Sequence, residues 1–227
     1  MVAVQDEGAL AAAVRSSLRT AADPAIAPSQ RAYMKSAMPF LGVRNPEVRR
    51  LTRALVRERG IREPAVLVAA ARELWDEATH REERYAAETL LALRPLKGDL
   101  SLVPFHEHIA RTGAWWDHVD AAAGRVADLH DAHPAETAQT VLRWSTDDFL
   151  WVRRLAILSQ LGRKDRVDRD LLSTLIEPNL GDRDFFIRKA IGWSLREVAR
   201  VHPDWVRAYA ESHDLSPLSR REALKHL

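Results

Sequence analysis

The chain has 227 residues, of which 46% are hydrophobic, and it contains no cysteine. It is therefore long enough to bury a substantial core in one large or two small domains. Without cysteine it cannot form a disulfide framework, use thiolate chemistry or hold a cysteine-ligated zinc ion. The formal net charge of +2 is only mildly basic and does not by itself indicate nucleic-acid binding.

The sequence shows no sign of a membrane or secretory segment. No apolar run approaches the roughly 20 residues that a bilayer-spanning helix needs. The N-terminal region carries Asp6 and Glu7 and lacks the basic flank that precedes the apolar block of a signal peptide. We therefore expect a cytoplasmic protein that does not bind membranes.

Helical periodicity runs through nearly the whole chain, and no Asn-Gly or Gly-Gly hairpin turn occurs. Proline residues fall between the periodic segments or at their starts, as at Asn45-Pro46, where Asn is a good N-cap. Ser219 and Glu222 have the spacing of a capping box for the last helix. In chain order, the pattern predicts helices over residues 9–22, 30–36, 45–59, 63–76, 80–93, 103–110, 115–129, 134–145, 147–162, 168–177, 184–202, 203–211 and 219–227.

The predicted fold is all-α and forms a single domain over residues 1–227. Helix pairs recur at intervals of roughly 35 to 40 residues, which is the range of HEAT and armadillo units. We therefore expect a solenoid of stacked helical hairpins with a concave face, in preference to a closed bundle.

The helix after Gly113 carries an unusual second stripe. Its core stripe includes Val119, whereas Trp116 and Asp120 lie one turn apart on a different side, about 100° round the cylinder. This stripe continues through the small residues Ala123 and Ala127. It has two interpretations: a surface Trp that shields a solvated Asp, or a carboxylate and an indole that face a ligand.

A second such stripe lies in the helix that follows Asp184. Lys189, Trp193, Arg196 and Arg200 are spaced by four, three and four residues, so a Trp lies in a line of three cations. The cations could cover the indole as a cation–π cap on the surface. They could equally form a face for a phosphate backbone, with the indole packed on a sugar or base.

Arg154 lies where the helix after Asp147 should present an apolar residue. A buried guanidinium needs a partner of matching fork geometry. Arg154 could be a snorkelling side chain that bridges two helices. Alternatively, it could hold a ligand phosphate or the Asp120 carboxylate.

With these residues, the chain resembles the bacterial DNA alkylation repair family, the AlkD-like DNA glycosylases built from HEAT-like repeats. The similarity covers almost the whole chain and is weakest before residue 30. The segments that carry it are Tyr33-Met34-Lys35 with Phe40-Leu41-Gly42, Trp115-Trp116-Asp117-His118-Val119-Asp120, residues 151–157, residues 185–197 and residues 218–223.

The resemblance implies a right-handed solenoid with a concave DNA-binding face, and it assigns roles to particular residues. Asp120 corresponds to the family's catalytic carboxylate, Trp116 and Trp193 to the aromatics beside the damaged nucleotide, and Arg154 to the Arg between them. All of these positions keep the family's residue types. We expect DNA contacts from Tyr33, Lys35, Arg153, Lys189, Arg196 and Arg200.

The activity implied by the resemblance is excision of cationic N3- and N7-alkylated purines from double-stranded DNA. It needs no cofactor, metal or amine nucleophile, and we expect a monomer that associates with the nucleoid. His106 with His108 and His130 with His133 are better explained as solvated helix-end histidines than as metal ligands, and Lys189 as a phosphate contact rather than a Schiff-base nucleophile. The alternative is a non-catalytic HEAT-like module that binds a DNA structure or a protein.

Overall fold

The computed structural model describes the backbone of residues 3–227 and the side chains from residue 8 onward. Within these residues the protein is all-helical, with no strand, which confirms the predicted fold class. Its helices are α1 (Ala3–Thr20), α2 (Ala27–Tyr33), α3 (Asn45–Glu58), α4 (Pro64–Asp76), α5 (Arg81–Leu91), α6 (Val103–Gly113), α7 (Trp116–Ala132), α8 (Pro134–Ser145), α9 (Leu150–Leu158), α10 (Arg169–Ile176), α11 (Phe185–Ala199), α12 (Pro203–Ser212) and α13 (Pro217–Ala223). In the described part of the chain, no helix is both long and apolar enough to cross a membrane.

The helices group into two compact units, Met1–Lys97 and Gly98–Leu227. In the first unit, α1 packs against α3 and α4, and α5 packs against both of those helices. The α1 stripe predicted from the sequence is buried, since Leu10, Val14 and Leu18 have almost no exposed surface. The helices α1, α3, α4 and α5 therefore contribute their apolar stripes to one common core.

A buried carboxylate holds the turn between α2 and α3. Glu82 of α5 accepts hydrogen bonds from the backbone N–H groups of Leu41, Gly42 and Val43, at 2.9 to 3.1 Å. Gly42 has φ of +92°, and a Cβ there would lie 1.9 Å from the carbonyl oxygen of Asp23. The turn is thus fixed both by a charge-assisted network and by a position that only glycine can occupy.

In the second unit, three helices lie in a row. α7 packs against α9, and α9 packs against α11. Outside this row, α6 packs on α7, α8 on α9, and both α12 and α13 on α11. The predicted core stripe of α7 is buried at Val119, Ala122, Val126 and Leu129, which leaves the neighbouring Trp116–Asp120 stripe on another side.

Among the predicted helix starts that shift in the structure, two have a clear local cause. Trp115 precedes α7 in an extended conformation, because Ala114 is left-handed with φ of +43° and turns the chain before the helix begins. The last helix begins at Pro217, not at Ser219, and Ser216 caps it by accepting from the Ser219 N–H at 3.1 Å. The predicted capping box of Ser219 and Glu222 is therefore wrong, since proline at the first position starts the helix two residues earlier.

The contact between α11 and α13 depends on Gly192. A Cβ at Gly192 would lie 2.5 Å from the Cβ of Glu222 and 2.9 Å from the carbonyl oxygen of Ser219. Both atoms belong to or adjoin the α13 backbone, so they cannot move aside without moving that helix. Gly192 is accordingly a position of close approach between the two helices.

We expect Gly192→Ala to lower the free energy of unfolding by about 1–3 kcal/mol, because the new methyl group overpacks the interface and displaces α13. Gly124→Ala in α7 is the matched control. No atom lies within 4 Å of a Cβ at Gly124, so this variant should gain about 0.5–1 kcal/mol from helix propensity. Urea unfolding of both variants measures the difference, and equal effects would contradict the close approach at Gly192.

Candidate active site

A cavity of about 350 Å³ opens in the second unit among α7, α9 and α11. Its wall combines aromatic rings with groups of both charges. The lining residues are Trp116 and Asp120 from α7, Arg154 from α9, and Phe185, Phe186, Lys189, Trp193 and Arg196 from α11. The structure therefore brings together part of each off-core stripe, Trp116 and Asp120 from one and Lys189, Trp193 and Arg196 from the other, with the anomalous Arg154.

The centre of the cavity wall is an ion pair between Arg154 and Asp120. Arg154 Nε donates to Asp120 Oδ1 at 2.9 Å, and Nη2 donates to Oδ2 at 3.0 Å. The third nitrogen, Nη1, donates to the backbone carbonyl of Phe186 at 2.7 Å. All three guanidinium nitrogens are thus used, and the fork geometry matches the carboxylate.

This geometry decides between the interpretations of Arg154. Its side chain is 4% exposed, whereas that of Asp120 is 16% exposed. Arg154 is therefore buried and holds the Asp120 carboxylate, as one of the sequence interpretations predicted. Asp120 is neither solvated nor sealed off, so a small molecule in the cavity can reach it.

Burial raises the pKa of Asp120 to about 6. The positive charge of Arg154 and its hydrogen bonds oppose this effect, and the negative charge of Asp117 adds to it. Asp120 is consequently ionised at neutral pH, but it takes up a proton in mildly acidic solution.

An aromatic cluster lies against the cavity. Phe186 contacts Trp151 with ring centroids 4.9 Å apart and Trp115 at 5.4 Å, and those two indoles are 5.9 Å apart. Phe185 meets Phe186 edge to face at 5.4 Å. Asp184 fixes the start of α11 beneath these rings by accepting from the backbone N–H of Phe186 at 2.6 Å.

Sequence reasoning missed Phe185 and Phe186 as cavity residues. Both lie in the segment that resembles the family motif, and the adjacent aromatics at a helix start were a usable signal. Phe186 contributes through both its ring and its carbonyl, and the carbonyl contact with Arg154 joins residues 32 positions apart. Periodicity within one helix contains no information about such a contact.

Lys189 and Arg196 flank Trp193 and share one carboxylate from α13. Lys189 Nζ lies 2.7 Å from Glu222 Oε1, and Arg196 Nη1 lies 2.5 Å from Glu222 Oε2. The pKa of Glu222 is lowered, mainly by the hydrogen bond from Lys189 and also by the charge of Arg196. Glu222 was not among the predicted site residues.

Two other predicted DNA contacts in this unit lie outside the cavity. Arg153 donates to the backbone carbonyls of Asp147 and Asp148 and to the Asp182 carboxylate, at 2.7 to 3.0 Å. Arg200 lines a separate hollow of about 250 Å³ between the end of α9 and α11, and it is 3.4 Å from Glu197. The predicted stripe on α11 is thus divided between two recesses.

The remaining predicted contacts, Tyr33 and Lys35, belong to the first unit. Tyr33 ends α2 and is 75% exposed, which is unusual for a large aromatic side chain. Lys35 is exposed and has a left-handed backbone with φ of +49°.

The histidines differ from their expected state. His106 and His130 are buried, and burial lowers the pKa of each to about 4, so both are neutral at pH 7. The prediction that they are solvated is therefore wrong for these two. In the part of the chain that the structure describes, no three His, Asp or Glu side chains are grouped so that they could hold a metal ion.

Comparison with known proteins gives one family. The family model described as DNA alkylation repair enzyme matches residues 14–227. Among solved structures, a predicted DNA alkylation repair enzyme from Enterococcus faecalis is 31% identical, with a TM-score of 0.81 over 91% of this chain and 96% of that chain. The protein smu.31 from Streptococcus mutans UA159 shares the fold, at 17% identity and a TM-score of 0.61 over 81% of this chain and 98% of that chain. No curated protein matches the chain.

The ion pair predicts how the pKa of Asp120 should respond to the loss of the Arg154 charge. Burial raises the pKa of Asp120, and the positive charge of Arg154 lowers it. Arg154→Met removes that charge, so the pKa of Asp120 should rise further above about 6. The pH dependence of the ¹³C shift of the Asp120 carboxyl carbon measures this, with Asp120→Asn used to assign the signal. A pKa that is unchanged or lower in the Arg154 variant would contradict the role given to the guanidinium.

Proposed function

The chain belongs to the DNA alkylation repair enzymes, and from that premise we propose that it is a monofunctional DNA glycosylase. In this proposal it excises purines alkylated at N3 or N7 from double-stranded DNA by hydrolysing the N-glycosidic bond. One observation carries the proposal: the Asp120 carboxylate is held in a fixed orientation by Arg154 at the wall of a cavity that the indoles of Trp116 and Trp193 also line.

The chemistry of the substrate explains why a single carboxylate suffices. A purine alkylated on a ring nitrogen is cationic, so it leaves with the bonding electron pair without first being protonated. The positive charge then develops on the deoxyribose. A preorganised carboxylate stabilises that charge, and it can orient the water whose oxygen adds to C1′ and whose proton is released.

The aromatic wall suits the same cationic species. The faces of indole rings attract cations, and Trp116 and Trp193 are half-buried and line the same cavity as Asp120. Selectivity would then come from the lability of the charged base more than from hydrogen bonds to its edge. This division of roles assigns Asp120 to the sugar and the indoles to the sugar and lesion.

DNA binding in this proposal relies on cations at and around the cavity. Lys189 and Arg196 are the candidates for phosphate contacts at its edge, and Arg200 for a contact beside it. Tyr33 and Lys35 are proposed contacts in the first unit. The donors of Arg153 are occupied within the protein, so Arg153 is the weakest candidate. Such an enzyme acts as a monomer in the cytoplasm, on the DNA of the nucleoid.

Asp120→Asn should reduce the single-turnover release of N3-methyladenine and N7-methylguanine by about 100- to 1,000-fold, as for other preorganised electrostatic groups. Binding to the same duplex should be retained or tightened, because a negative charge is removed near a polyanion. Chromatography of released bases and fluorescence anisotropy measure the two quantities. Asp214→Asn, which changes an exposed carboxylate of the same unit, serves as the control and should release bases at the wild-type rate.

The same experiment separates the glycosylase from a binding module without catalysis. A non-catalytic module would bind DNA and release no base in either form. Release by Asp120→Asn at the wild-type rate would remove Asp120 from the mechanism.

The rate of release should depend on pH through Asp120. The carboxylate must be ionised to stabilise the sugar cation, and its pKa is about 6. The enzyme-dependent rate should therefore be constant above pH 7 and fall by about tenfold per pH unit below pH 6. Single-turnover rates between pH 5 and 8, corrected for spontaneous depurination, test this. A rate that does not fall by pH 5 would contradict an essential ionised Asp120.

A further inference from the structure

Glu222 is the carboxylate that pairs with the two cations at the cavity edge. It lies between Lys189 and Arg196, within 2.7 Å of both, although these two cations are seven residues apart on α11. Its own side chain is 12% exposed and that of Arg196 is 19% exposed, whereas that of Lys189 is 38% exposed, so the contact with Arg196 is the more shielded of the two. A shielded ion pair of this kind persists at salt concentrations that screen exposed pairs.

The fold fixes the position of Glu222 independently of the cations. The approach of α13 to α11 at Gly192 places the Glu222 Cβ directly against α11. Ser219, one turn earlier on α13, is buried and donates to the carbonyl oxygen of Arg188 at 2.9 Å. Contacts between α13 and the backbone of α11 therefore hold Glu222 in place, and Lys189 and Arg196 form their ion pairs with it there.

The charges at the cavity show what Glu222 changes. Three positive groups (Arg154, Lys189 and Arg196) face two negative ones (Asp120 and Glu222) in or against the wall. Without Glu222 the excess would rise from one positive charge to two. A larger positive excess attracts phosphates more strongly, and it also opposes the formation of a cation within the same cavity.

We propose that Glu222 is a specificity-determining residue, which restrains Lys189 and Arg196 from binding the phosphates of undamaged DNA and makes the cavity more favourable for a cationic sugar and base. This inference rests on the proposed function, because it presumes a DNA substrate whose reaction generates positive charge. In this inference Glu222, which does not line the cavity, sets the balance between DNA binding and catalysis.

The test is Glu222→Gln, which keeps the size of the side chain and removes its charge. One cation should become available to a phosphate, so the slope of log affinity against log salt for undamaged duplex should steepen by about one unit. At 0.1 M salt the affinity should rise about fivefold to tenfold, which is the size of one counterion-release step. Single-turnover release of N7-methylguanine should slow by about threefold or more, because the sugar cation forms beside a larger positive excess.

Opposite signs in binding and rate separate this role from a merely structural one, which would weaken both. Glu211→Gln is the matched control, since it removes one negative charge from an exposed position on α12. It should leave both the slope and the rate unchanged. In a Lys189→Met/Arg196→Met background, Glu222→Gln should no longer alter the slope.

Three results would overturn the inference: an unchanged salt slope in Glu222→Gln, an equal change in Glu211→Gln, or a slope that still steepens when both cations are absent. Thermal unfolding of each variant verifies that it is folded. The outcome is separable from that of the proposed function. If the wild-type protein releases no base but Glu222→Gln still tightens binding, the glycosylase proposal fails and the control of phosphate binding by Glu222 stands.

Discussion

Arg154 and Asp120 bind each other through two hydrogen bonds inside a largely buried wall, and the arrangement of the cavity follows from this pair. The orientation of the guanidinium is fixed, because its third nitrogen donates a hydrogen bond to the carbonyl oxygen of Phe186. One side chain from α9 therefore connects α7 and α11. A buried charge of this kind is tolerated only when its partners are complete, so the three helices must keep their spacing for the site to exist.

The charged groups of the cavity are paired within the protein before any substrate arrives. Asp120 is paired with Arg154, and Lys189 and Arg196 are paired with Glu222. Groups that are already oriented need little reorganisation when charge develops beside them, which is the condition for strong electrostatic stabilisation. The aromatic cluster of Trp115, Trp151 and Phe186 packs against the cavity wall and helps to keep these charged groups in their orientation.

The sequence allowed prediction of what lies within one helix. The spacing of Trp116 and Asp120, and the misplaced Arg154 on an apolar stripe, led to three residues that the structure brings together. Contacts between distant segments could not be predicted. Glu222 reaches the cations only because α13 begins at Pro217 and approaches Gly192. Arg200 continues the stripe in sequence, but it lines a different hollow from Lys189 and Arg196.

The raised pKa of Asp120 also links the site to the stability of the protein. Its pKa is about 6 in the folded protein, whereas the ordinary value of an Asp carboxyl, which applies to the unfolded chain, is 3.8. The folded protein therefore holds the proton more tightly than the unfolded chain does. The stability from this group is fully present below pH 4 and is lost as the pH rises through 6. The ionised form, which the proposed chemistry requires, is thus the less stable form of the fold. At neutral pH the protein retains a carboxylate whose charge is disfavoured by burial. The pairing with Arg154 offsets part of that penalty, and the packing of α7, α9 and α11 must offset the rest.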